Sequence, residues 1–203
     1  MKKLILLIIT LLLTAFSFAD TKGLNQIVTP YITPDDTFVL GYQLEHSQIG
    51  NPYQFQMEFG VKKNWEATIW QGMLPGQTTV ALLTQLYQKS NLQVSAGTFY
   101  TFNTSKPQPF ATSSYTKGNH FFVFGVNTDQ TTNRIQSSLG YKYTFNDQYA
   151  FVTDYLQGYN NYQTIGFTYN PINNLQFNPA VYRSNGDSKL YPYLAISYSL
   201  KFK

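Results

Sequence analysis

A side-chain alternation of period two runs through most of this 203-residue chain and limits its fold more than any other feature. In Phe55-Gln56-Met57-Glu58-Phe59-Gly60-Val61-Lys62 every odd position is apolar and every even one is polar or glycine. Leu194 to Phe202 repeats the pattern, with large apolar residues at even positions and small or polar ones between. Successive side chains of a strand point to opposite faces, so each stretch reads as a strand with one apolar and one polar face. The split recurs where Phe38, Leu40, Tyr42 and Leu44 oppose Val39, Gly41, Gln43 and Glu45, and again in 134–145 and 164–169. The period decides for an all-β fold.

Charge decides which face meets what. Charged residues make up only 12% of the chain against 17% aromatic, with 17 Tyr and 16 Phe, whereas soluble domains average about 25% charged. Past residue 19 no apolar run approaches the roughly 18 residues of a membrane-spanning helix, so any span must be β. If the apolar face meets lipid, in-strand charges belong on the other face, because a lipid-facing Lys or Arg at mid-membrane costs roughly 2–4 kcal/mol. Glu45, Glu58, Lys62, Glu66, Arg134, Lys142 and Lys201 obey that rule. Asp154 obeys it weakly, sharing its face with Val152 and Leu156. These eight residues are the expected lining of a barrel lumen, either selecting a solute or pairing with one another. Arg183 falls on the apolar side with Phe177 and Val181, at a strand end from which a long side chain can snorkel. A secreted β-sandwich or lipocalin-like barrel is the soluble alternative, and it requires apolar residues inside and charges outside.

Turn chemistry sets the strand count. Lys62-Lys63-Asn64, Lys89-Ser90-Asn91, Asn146-Asp147-Gln148 and Pro171-Ile172-Asn173-Asn174 are short and polar, while 46–53, 72–77, 102–109, 129–132 and 184–190 are mostly longer or richer in Gly and Pro. Short turns on one side and long loops on the other are the asymmetry of membrane barrels. Twelve strands follow, at 37–45, 54–62, 65–71, 78–88, 91–101, 110–116, 120–128, 133–145, 149–158, 161–169, 175–183 and 191–202; ten is the alternative, with 110–116 the weakest. The fold expected is an antiparallel, up-and-down transmembrane β-barrel.

The N-terminus reads as a signal peptide over 1–19. Lys2-Lys3, the run from Leu4 to Leu13 and Ala19 supply its three regions, with cleavage before Asp20. A leader over 20–36 and a barrel over 37–203 follow. Residues 24–31 have some strand character, but Pro30 and Pro34 assign the leader to the periplasm or the barrel rim. Removing 1–19 takes two of 14 basic residues and leaves 12 against 10 acids. That small, scattered excess excludes nucleic acid as a partner. The absence of Cys excludes disulfides and thiolate metal sites.

Over its mature length the chain resembles Gram-negative outer-membrane β-barrels, most specifically in its last strand, where Tyr198, Leu200 and Phe202 look like the alternating, aromatic-ended signal read by the barrel-assembly machinery. Lys203 after Phe202, and Ser197 where Gly is common, depart from that pattern. The resemblance implies placement in the outer membrane, lipid and the assembly machinery as partners, and passive passage of small solutes, with a sealed structural or surface-binding barrel as runner-up. In size and strand number the chain is similar to small twelve-stranded channels, including acidic-oligosaccharide porins. Those are expected to carry several pore-lining bases, whereas the arginines here are Arg134 and Arg183 alone.

No catalytic, cofactor or metal residues are expected. Barrel lipases and deacylases place His and Ser two apart on one strand face, and neither His46-Ser47-Gln48 nor His120-Phe121-Phe122 has that spacing. Asp35-Asp36 reads as a solvated turn. Tyr31, Tyr53, Trp65, Trp70, Tyr87, Tyr149, Tyr162, Tyr169 and Tyr191 fall near strand ends, where aromatic girdles form. The loop 103–109 is the expected contact surface or constriction.

Overall fold

The computed structural model describes residues 24–50, 52–72, 78–102, 106–129 and 134–202. The expected signal peptide, 1–19, lies outside the described residues. Twelve strands follow one another: β1 (Thr37–Glu45), β2 (Tyr53–Lys62), β3 (Trp65–Gly72), β4 (Thr78–Lys89), β5 (Leu92–Thr101), β6 (Gln108–Lys117), β7 (His120–Thr128), β8 (Ile135–Thr144), β9 (Tyr149–Leu156), β10 (Tyr162–Ile172), β11 (Leu175–Ser184) and β12 (Leu190–Lys201). Each pairs antiparallel with its sequence neighbours, and β1 closes the ring on β12, from Thr37 opposite Lys201 to Glu45 opposite Tyr193. Closure leaves no unpaired sheet edge.

The doubtful span at 110–116 is a full strand, longer than expected at both ends, pairing with β5 and β7. Its start at Gln108 also shortens the loop predicted over 103–109. Connections of two residues join β2 to β3, β4 to β5 and β6 to β7. They reverse the chain through left-handed backbone at Asn64 (φ 68°), Ser90 (φ 49°) and Gly118 (φ 57°), as tight hairpins require. These turns share one end of the barrel with both ends of the strand run, and the longer loops occupy the other.

The two faces are sorted against the pattern of a soluble protein. Leu40, Phe55, Leu82, Phe124, Leu139 and Ile165 point outward and are exposed, whereas Glu58 and Glu66 point inward and are 1% exposed. A water-soluble barrel requires the reverse, so the soluble alternative is overturned. Arg183 points outward near the long-loop end, where its guanidinium donates to Ser188 Oγ at 3.0 Å.

Candidate functional site

The described part of the leader, residues 24–34, lies inside the barrel, not at the rim. From Asp36, beside the end of β12, it runs back across the inner wall. Thr33 N donates to Glu66 Oε2 on β3 (2.8 Å), and its hydroxyl to Glu58 Oε2 on β2 (3.2 Å). The Pro30 carbonyl accepts from Ser95 Oγ on β5 (2.7 Å), and the Val28 carbonyl from Thr112 Oγ1 on β6 (3.0 Å). Tyr31 stacks on Phe121 of β7 at 5.2 Å. At the far wall Asn25 N and Gln26 N both donate to Asp154 Oδ2 on β9, at 2.7 and 3.2 Å. The Asn25 side chain joins Thr164 on β10 and Asn178 on β11, and its carbonyl accepts from Tyr182 OH at 2.7 Å.

The prolines that argued against a strand here suit this path. Pro30 and Pro34 carry no N–H, so the segment brings fewer donors into a space without a ladder to receive them. Wall hydroxyls supply what its carbonyls need. Close approach is met by glycine: a Cβ at Gly60 would overlap the Pro34 carbonyl, and one at Gly140 would lie 2.7 Å from the end of the Ile27 side chain. Leu24 and Ile27 pack against Phe121, Val123 and Val152, with Leu156 and Tyr31 beside them. Val152 and Leu156, which seemed misplaced on the face of Asp154, are therefore the seat of the leader.

Asp35-Asp36 forms the expected turn, and Asp36 is tied to the end of β12. The Asp36 carboxylate pairs with Lys201 Nζ at 3.2 Å, and its carbonyl accepts from Phe202 N at 3.0 Å. Burial raises the Asp36 carboxyl, but the hydrogen bonds from Lys201 and Thr37 outweigh it and hold the group below the ordinary range.

The eight charged residues expected in the lumen take different places. Glu45, Glu58 and Glu66 line an interior cavity, and Asp154 is buried against the leader. Lys142 is half-buried on the inward side of β8, Lys201 ends β12 on Asp36, and Lys62 and Arg134 are exposed beside the turn after β2 and the loop before β8. His46 follows β1 at the long-loop end and His120 opens β7 at the short-turn end, where its Nδ1 lies 2.9 Å from Tyr141 OH. Of the aromatic residues expected in girdles, Tyr53, Trp65, Tyr87, Tyr149 and Tyr169 are exposed outside. Trp70, Tyr162 and Tyr191 instead face the interior, since strand phase outranks closeness to a strand end, and Tyr31 packs there from the leader.

Between the leader and the long-loop end lies a cavity of about 770 Å³. Leader residues 24–28 form its floor. On one wall Trp70, Phe99 and Phe110 form a tier, with ring centroids 5.8 and 4.5 Å apart. Six strands around the ring, Tyr162, Tyr182 and Tyr193 form a second, at 5.7 and 4.9 Å. Gln43, Gln54 and Gln56 on β1 and β2, and Asn127 and Gln136 on β7 and β8, fill the quadrants between. Gln43 Nε2 donates to Gln56 Oε1 at 2.8 Å and Gln56 to Glu58, which also holds Thr33. This chain of hydrogen bonds joins the cavity wall to the leader.

No protein-family model matches the chain, and no curated protein matches it. Solved structures do. A KdgM porin superposes with a TM-score of 0.58 at 9% identity, over 82% of this chain and 99% of that one. The same figures hold for that porin in complex with disordered oligogalacturonate. A NanC porin gives a TM-score of 0.53 at 11% identity, over 82% and 99%. At such identities the likeness is one of fold: the chain has the architecture of a porin-like, twelve-stranded barrel.

Proposed function

We propose that the chain is an outer-membrane channel for small solutes, narrowed by its own leader. The observation that carries this reading is a closed barrel, apolar outside, whose interior holds a cavity of about 770 Å³, lined by both polar and aromatic side chains, toward the long-loop end. The porin fold of the neighbours supports it. Barrel size does too, since eight strands enclose packed side chains and sixteen or more an aqueous channel, and twelve lie between. The leader then sets the bore. Export through a cleaved signal peptide and insertion by the assembly machinery, with Tyr198, Leu200 and Phe202 as its signal, belong to the same proposal.

The leader also favours a second reading, a sealed barrel, because its hydrogen bonds reach strands on opposite sides of the ring. Planar-bilayer recording of the refolded mature protein separates the two. Discrete, reproducible openings are expected for the channel. Silence across many verified insertions would leave the sealed barrel.

A further inference from the structure

We propose that the cavity above the leader is a binding site for neutral saccharides, an inference that names the substrate class of the channel and rests on that reading. The argument is the arrangement of its walls. Two aromatic tiers, Trp70-Phe99-Phe110 and Tyr162-Tyr182-Tyr193, face each other across the ring, with carboxamides in the quadrants between. Phe110, Tyr182 and Tyr193 are buried in these tiers, and the partly exposed Trp70, Phe99 and Tyr162 offer the apolar plates that fit the C–H faces of a sugar ring. Each carboxamide presents a donor and an acceptor side by side, which matches the paired hydroxyls around that ring's edge. A wholly apolar solute would strip water from the amides and return nothing.

Charge narrows the class. Glu45, Glu58, Glu66 and Asp129 border the cavity, and among the described residues no Lys or Arg does. A carboxylated sugar would therefore find no cationic partner on the lining. Size agrees as well, because about 770 Å³ lies within the roughly 300–1,000 Å³ of small-molecule sites. The floor adds Asn25 and Gln26 of the leader, and the Gln43-Gln56-Glu58-Thr33 chain links a ligand on the wall to the leader beneath it.

The chain has two tryptophans, Trp65 facing outward and Trp70 in the cavity. Full-length Trp65→Phe protein thus carries a single reporter in the site. Titration with maltotriose, cellotriose and laminaritriose is expected to give a saturating change in Trp70 emission with at least one of them. Trigalacturonate should bind at least about tenfold more weakly, and Gln54→Leu should weaken the neutral sugar by about tenfold, the net effect of one hydrogen bond. No saturable change with any of the three sugars, or tighter binding of trigalacturonate, would overturn the proposal. Bilayer recording of the same preparation keeps the readings apart. Openings without sugar binding remove the site and leave the channel, whereas binding with silent bilayers removes the channel and leaves the site.

Discussion

Deleting residues 20–34 should leave the barrel folded and raise its single-channel conductance several-fold. The ring of strands closes without the leader, because β1 pairs directly with β12 and no described leader residue belongs to the ladder. Keeping Asp35 and Asp36 preserves the pair with Lys201 at the start of β1. What is lost is the segment that spans the lumen from Glu58 and Glu66 to Asp154 and Tyr182. Water would take its place, and the current path would widen to the bore of the empty barrel. Stability should fall as well, since Phe121, Val123 and Val152 lose their cover, at roughly 25 cal/mol for each Å² of apolar surface returned to water. Paired recordings of full-length and deleted protein make the check, with thermal unfolding alongside. Equal conductance would place the leader outside the conducting path.

Met57→Lys and Leu139→Lys should each block assembly into membranes, while Gln56→Lys should not. Met57 lies mid-strand on the outer face of β2, opposite Leu40 and Ile69, and Leu139 lies mid-strand on the outer face of β8. A lysine at either site would sit in hydrocarbon near mid-membrane at a cost of roughly 2–4 kcal/mol, which by the tenfold-per-1.4 kcal/mol relation is about 30-fold to 700-fold in the assembled population. Gln56 is one residue from Met57 but faces the lumen beside Glu58, where a lysine gains an acidic neighbour. Membrane fractionation with heat-modifiable gel mobility reads the outcome. Equal tolerance of all three substitutions would remove the assignment of faces.

Much of the barrel was legible because alternation is a local signal that the sheet has no reason to override. Thr37–Glu45 and His120–Thr128 fall on the expected bounds, and most other strands within one or two residues of them. Turn parity found β6 where its sequence, Gln108-Pro109-Phe110-Ala111-Thr112-Ser113-Ser114, shows little contrast between faces. The leader was not legible in the same way. It has no period, its hydrogen bonds run to residues 25 to 157 positions away, and its prolines were informative only about what it is not.

A trace of it was nevertheless present on the barrel side. Val152 and Leu156 share the face of Asp154, and Phe121-Phe122-Val123-Phe124 makes β7 apolar on both faces. Strands apolar on both faces are covered on both. In a barrel whose outer face meets lipid, such a strand announces that something packs inside. The interior aromatics were open to the same treatment: Trp70 shares the parity of Glu66, and Tyr191 that of Lys201, which places both inward. The cavity itself, where β3 to β6 meet β10 to β12 across the ring, needed the closed geometry.

The occupied lumen is tested most directly by a disulfide, since the native chain contains no Cys. Ile27→Cys with Gly140→Cys puts thiols where the Ile27 side chain now reaches the Gly140 Cβ position. Ile27→Cys with Leu139→Cys puts the second thiol one residue away on the outer face. Mild oxidation of membrane-embedded, full-length protein is expected to close the 27–140 bridge in high yield and to leave the 27–139 pair reduced. No bridge at 27–140, or equal bridging in both variants, would contradict a leader held inside the barrel.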